Sequence, residues 1–211
     1  MLIGLHGIIE SGKDAVASHL SSKYGFRVLR FAGALKLEVA TRLRATCKEI
    51  TIADELAGSL PNLPIALQLP QSQPNIEEWW DRRLDYVMNV ERSPIMRRLL
   101  QEYGTEVRRR DDTDYWIKQW SNDYAQLMKQ SFNVVVSDTR FINEAFTIRR
   151  FNGKLVKILR QNQTAKYNDH ASEHGLDAWE SWDRVLMNDG SLDDLFKLVD
   201  HMMGGWHGAP P

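Results

Sequence analysis

The chain has a single cysteine, Cys47, no long apolar run and almost no net charge. One thiol cannot close an internal disulfide, so packing and hydrogen bonds must hold the fold. No apolar stretch approaches the ~20 residues that a membrane helix requires. With no secretory or transit pattern either, the sequence reads as a soluble, cytoplasmic protein with no membrane partner. A formal charge of -1 supplies no basic field for nucleic acid. Proline is scarce as well, yet four of the seven fall together at 61, 64, 70 and 74, where they preclude continuous helix. The seven tryptophans suit a core, and their number alone assigns them no ligand.

What is present starts with Gly7-Ile8-Ile9-Glu10-Ser11-Gly12-Lys13-Asp14. This matches the phosphate-binding pattern G-x-x-x-x-G-K-[ST], except that Asp14 stands where a hydroxyl usually contacts magnesium. In such a loop successive backbone N–H groups face the phosphates, the next helix adds its positive end, and the lysine supplies a point charge. Both flanks fit. The apolar Met1–His6 run suits a buried parallel strand, while Ala15, Val16, Ala17 and Leu20 begin a helix that Gly25 should stop.

At 211 residues the chain suits one domain with an added subregion. Further strands are expected at 27–32, 132–138, 154–160 and 183–188, with helices from Ile142 to Phe151 and after Ser191. Ser191 is a natural N-cap, with Asp193 and Asp194 in the first turn. Strands alternating with helices predict a parallel sheet covered on both faces. Residues 34–130 read as mostly helical around the proline-rich excursion, and the glycine-rich tail from Gly204 is expected to fray.

Ligands bind at the carboxyl ends of parallel strands, where Asp138 and Arg140 fall. An acid there can orient waters around magnesium, and an arginine two residues on can neutralise charge on a transferring phosphate. A second cluster gathers Arg97, Arg98, Arg108, Arg109 and Arg110 around Gln101, Thr105 and Glu106. It reads either as a solvated helix face or as a site where arginines fork onto a phosphate while the polar residues read a base or sugar. Trp116 can lie under a base or in the core.

Six stretches in chain order carry a resemblance: Gly12-Lys13-Asp14, Phe31-Ala32-Gly33-Ala34-Leu35-Lys36, Leu100-Gln101-Glu102-Tyr103-Gly104-Thr105-Glu106, Asp138-Thr139-Arg140-Phe141-Ile142-Asn143-Glu144, His170-Ala171-Ser172-Glu173 and Asn188-Asp189-Gly190-Ser191-Leu192. Together the sequence resembles the bacteriophage deoxynucleoside monophosphate kinases, within the P-loop nucleoside monophosphate kinase superfamily. The resemblance implies a three-layer α/β fold with a central parallel sheet, a helical monophosphate-binding insertion and a lid. It puts the core at 1–33 and 131–203, the insertion at 34–130 and the lid at 160–177. It implies ATP bound by Gly7, Ile8, Ile9, Glu10, Ser11, Gly12, Lys13, Asp14, Ala15, Asn188 and Ser191, the last two edging the adenine.

The acceptor monophosphate would meet Lys36, Arg97, Arg98, Gln101, Thr105, Glu106, Arg110 and Trp116. Arg160, His170, Ser172 and Glu173 would belong to the lid. Lys13, Arg140 and Asp138 would be catalytic, with Mg2+ held through water by Asp14 and Asp138. A homodimer is also implied. Asp14 is typical of the family, whereas Ala15 replaces a common threonine and removes a hydroxyl. Two other readings are a kinase of another phosphorylated acceptor, such as phosphomevalonate or dephospho-coenzyme A, and a nucleotide-dependent switch or ATPase.

Overall fold

Five short apolar runs become the five strands of one parallel sheet: β1 (Leu2–His6), β2 (Arg27–Leu29), β3 (Val134–Val136), β4 (Lys154–Leu159) and β5 (Arg184–Met187). Their order is β2-β3-β1-β4-β5. The computed structural model describes residues 1–41, 100–160 and 174–207. Their helices in the sheet-bearing part are α1 (Lys13–Tyr24), α2 (Tyr115–Lys129), α3 (Ile142–Arg150) and α4 (Leu192–His207).

The central strands β1 and β3 are buried on both faces, which is why they read as unbroken apolar runs rather than alternating ones. Successive side chains of β1 and β4 serve opposite layers. Ile3, Leu5, Val156 and Ile158 join Val16 and Leu20 of α1 and Leu195 and Val199 of α4. Leu2 and Leu155 join Val134 and Val136 of β3, Trp120 and Tyr124 of α2, and Ala145 and Ile148 of α3. Each valine, leucine or isoleucine among them contributes about 1.5–3 kcal/mol by leaving water. The expected α/β class and parallel sheet are therefore found. Strand order reverses at β1, flanked by β3 and β4, so the crevice for a ligand opens at the carboxyl end of β1.

Local chemistry sets the helix ends. Gly25, at φ 71°, closes α1 and donates its N–H to the Ser21 carbonyl (3.1 Å). Ser191 caps α4: its Oγ accepts the Asp194 N–H (3.2 Å), and the Asp194 carboxylate accepts the Ser191 N–H in return (3.2 Å). The Ser191 hydroxyl, which donates to the Asp194 carboxylate (2.7 Å), then Lys197 and the Ser191 N–H, hold the Asp194 carboxyl at about 2. The glycine-rich tail does not fray at Gly204, because α4 continues to His207. Met202 and Met203 are buried and Trp206 packs on the same core, so tertiary contact outweighs the cost of two helical glycines.

The chain divides into two units, one of Met1–Gly33 with Asp114–Pro211, the other of Ala34–Thr113. The helical stretch read over 34–130 thus divides at Asp114, and α2 packs on the sheet through Trp120 and Tyr124. In the second unit, residues 34–41 and 100–111 are helical, with Glu102–Arg109 wound as π-helix. Gly104 permits close packing there, since a Cβ would come 2.8 Å from Leu35 Cδ2. Glu38 accepts hydrogen bonds from the Tyr103 hydroxyl (2.6 Å) and the Arg108 guanidinium.

Candidate active site

Between β1 and α1 the backbone turns through three left-handed positions, and only two of them are glycine. Gly7 has φ 156°, Glu10 φ 63° and Gly12 φ 105°. Alternating backbone handedness of this kind forms a concavity of N–H groups that suits anions. The glycines are also required sterically. A Cβ on Gly7 would lie 2.4 Å from the Ile158 carbonyl oxygen, and one on Gly12 would lie 2.7 Å from Asn188 Nδ2. Lys13 opens α1 with its chain buried (8 % exposed), and its ammonium donates to the carbonyls of Gly7 (2.5 Å) and Ile8 (2.6 Å). The cation is thus held directly against the loop.

Asn188 braces this loop from below. It follows β5, is buried, and its Nδ2 donates to the Ser11 carbonyl (2.9 Å), while its own N–H donates to Leu159 (2.7 Å). Asp14 is largely exposed in the first turn of α1, where a carboxylate complements the helix dipole. Arg30 links it to the end of β3, donating from Nη2 to Asp14 (3.2 Å) and from Nε to Ser137 Oγ (3.0 Å).

The loop after β3 is gripped at every residue. Each Asp138 carboxylate oxygen accepts one backbone N–H, from Phe31 and from Ala32, both at 2.9 Å. Burial pushes this carboxyl upward, against those two bonds and the charges of Arg140 and Arg30. Thr139 donates its N–H to the Leu5 carbonyl (3.2 Å). Glu144, buried in the first turn of α3, accepts the N–H groups of Arg140 (2.7 Å) and Phe141 (3.1 Å). Arg140 is therefore carried on a short, anchored turn at the carboxyl edge of the sheet, half-buried.

His6 ends β1 beside this turn. Its ring is buried, meets the Thr139 carbonyl at 3.0 Å through Nδ1, and stacks on Trp182 with centroids 5.3 Å apart. A carbonyl only accepts, so Nδ1 carries the hydrogen. Burial lowers the affinity of the ring for a second proton, and Lys13, Lys157 and Arg140 lower it further against the pull of the Thr139 carbonyl. Sequence reasoning passed over His6 and Trp182, and their partners are far away in the chain. Glu144 was visible as the third residue of α3, the position from which an acid reaches back to the helix start.

Of the other residues singled out, Ser191 caps α4 and Arg160 is exposed after β4. Trp116 is buried, edge-on to Tyr115. In the second unit, Lys36, Gln101 and Thr105 are half-buried, while Arg110 is exposed and paired with Asp111 (3.1 Å). Arg97, Arg98, the Glu106 side chain, His170, Ser172, Glu173 and the proline-rich excursion lie outside the described residues.

The acidic pair fits a hard cation that keeps most of its water. Asp14 is accessible, and each Asp138 oxygen retains acceptor capacity beyond its one N–H bond. Among the described residues, no group of three or more His, Cys, Asp or Glu forms a protein cage.

A parallel sheet whose central strand runs into such a loop, with a buried lysine at the helix start, is the α/β arrangement of a P-loop kinase fold. The profile of the deoxynucleotide monophosphate kinase family matches residues 66–199. The deoxynucleotide monophosphate kinase of Enterobacteria phage T4 is 27 % identical over 239 aligned positions, covering 96 % of this chain and 98 % of that protein. The deoxynucleotide monophosphate kinase of Escherichia phage RB69 is 31 % identical over 119 positions, covering 56 % of this chain and 48 % of its own. The chain belongs to the deoxynucleotide monophosphate kinase family, and so is a kinase with ATP as co-substrate. Among the described residues, no helix is long and apolar enough to cross a membrane.

Proposed function

We propose that the protein transfers the γ-phosphate of ATP to a deoxynucleoside monophosphate, with the loop from Gly7 to Ala15 holding the donor phosphates. The buried ammonium of Lys13, seated on the loop carbonyls, is the observation that carries this reading. An ionised acceptor phosphate needs no dedicated base. Its oxygen attacks the γ-phosphorus in line, the bond to the bridging oxygen of ADP breaks, and Lys13 and Arg140 offset the negative charge spread over the moving group. Asp14 and Asp138 would hold a magnesium ion through its waters, and the ion would neutralise phosphate charge.

Asn188 and Ser191 border the adenine. Lys36, Arg97, Arg98, Gln101, Thr105, Glu106, Arg110 and Trp116 serve the acceptor. Support for this comes from the family membership and from the run of cations and amides in that stretch. The span 160–177, with Arg160, His170, Ser172 and Glu173, closes over the phosphates and excludes water. A homodimer rests on the family resemblance alone.

ADP release coupled to each deoxynucleoside monophosphate, with phosphomevalonate and dephospho-coenzyme A as controls, tests the acceptor. No stimulation by any nucleotide would overturn the proposal. Lys13→Ala should lower kcat by at least 100-fold while acceptor binding changes less than threefold. Equal losses in both would remove Lys13 from phosphoryl transfer.

A further inference from the structure

The peptide plane joining Thr139 to Arg140 has two polar groups, and each is taken by a buried side chain from a different element. Its N–H donates to Glu144 of α3 at 2.7 Å, and its carbonyl accepts from His6 of β1 at 3.0 Å. A peptide unit is rigid and planar, so gripping both ends fixes the direction in which the Arg140 Cα leaves it. Glu144 alone would leave the plane free to swing about the bonds on either side. His6 is itself held: Trp182 stacks on its ring with planes 20° apart, and Lys157 lies over the far aromatic system at 5.6 Å. Trp182 is fixed in turn by its Nε1–H bond to the Trp179 carbonyl (2.7 Å).

We propose that His6 is a positioning residue for phosphoryl transfer: its Nδ1–H fixes the Thr139 carbonyl, and thereby aims Arg140 at the transferring phosphate. The proposal rests on Arg140 acting in that transfer. A bulky aliphatic residue would satisfy the burial of β1 equally well, and an adjacent strand position would ordinarily carry one. The donor is what a leucine cannot supply. Nδ1 is engaged with the Thr139 carbonyl, and Trp182 covers a face of the ring.

Three substitutions separate positioning from packing. His6→Leu should lower kcat at least tenfold, with the ATP dissociation constant within threefold of the parent. His6→Asn keeps an N–H close to the position of Nδ1 and should recover most of kcat. In an Arg140→Ala background, His6→Leu should cost less than threefold more, since the group it aims is gone. Should His6→Leu fail to fold, judged by thermal unfolding, His6→Ser is too short to reach Thr139 and replaces it. Parental kcat in the Leu or Ser variant would overturn the proposal. So would equal losses for Asn and Leu, or an undiminished loss in the Arg140→Ala background. Parental kcat in Arg140→Ala alone would instead refute the role of Arg140 and leave no target for His6.

Discussion

Replacing Asn188 by aspartate should damage nucleotide binding far more than replacing it by alanine, although aspartate matches the native shape. Asn188 Nδ2 donates to the Ser11 carbonyl inside the phosphate loop (2.9 Å, buried). Alanine removes the donor and leaves that carbonyl unbonded, which costs about 1–3 kcal/mol. Part of this appears in global stability and part as disorder of the loop. Aspartate puts an acceptor where the donor was, so two oxygens face each other. It also brings a negative charge to the underside of an anion site. At about 6 Å and an effective dielectric constant of about 20, one like charge on a bound phosphate is repelled by roughly 3 kcal/mol, or about 100-fold in affinity.

The penalty has a ceiling. The new carboxyl can take up a proton and donate it to Ser11, and from an ordinary pKa near 3.9 this costs about 4 kcal/mol at pH 7. The ATP dissociation constant should therefore rise between about 100- and 1000-fold for Asn188→Asp at pH 7, with much of the loss recovered at pH 5.5. For Asn188→Ala the rise should stay near tenfold and not depend on pH. Equilibrium titration with ATP at both pH values measures this, with thermal unfolding run alongside. Affinity of the aspartate variant within threefold of the parent at pH 7 would refute the bracing role assigned to Asn188.

Gly12→Ala forces a side chain into φ 105° with its Cβ 2.7 Å from Asn188 Nδ2, so urea unfolding should show a loss of about 1–3 kcal/mol together with lost ATP binding. A variant within about 0.5 kcal/mol of the parent that still binds ATP would show the loop to be more pliant than this geometry implies. The carboxyl of Asp200 is opposed by burial, but hydrogen bonds from Lys23, His19 and Tyr24 outweigh that and hold it at about 2. A depressed carboxyl contributes stability that is present above the unfolded value near 3.8 and is lost as pH falls through about 2. Asp200→Asn should accordingly flatten the acid limb of the stability profile between those values. It should cost roughly 1 kcal/mol at pH 7, given partial solvent screening. An unchanged acid limb would mean the cluster stores nothing.

Those residues differ in how far the amino-acid sequence announces them, and the reason is physical. The loop from Gly7 to Lys13 is legible because its demands are local: positive φ and close backbone approach admit little but glycine at 7 and 12, and the lysine follows at a fixed distance. β1 and β3 are legible because burial on both faces leaves an unbroken apolar run. Gly25 and Ser191 follow from the needs of helix ends in the same way. Bonds between distant residues carry no local mark. His6 reads as the last residue of an apolar strand, and its partner lies 133 positions on; Asn188 reaches back 177 positions to Ser11. The tail misled for a related reason, since two glycines predict an end to the helix only if nothing beyond them is buried, and Trp206 is packed. The parts that name the ligand class are thus written in short motifs. The parts that set its precision are written in pairs of buried side chains, each unremarkable where it stands. Asp14 belongs to the first kind and Ala15 to neither: the carbonyls of Gly7, Ile8 and Ser11 are tied to Lys13 and Asn188, the buried Ser11 Oγ has no hydrogen-bond partner among the described residues, and no described contact supplies the hydroxyl that Ala15 lacks. Fixing Arg140 through His6 and Glu144 does not restore that contact. In the role proposed for His6, the charge of Arg140 would be placed by backbone geometry instead, which a sequence motif cannot display.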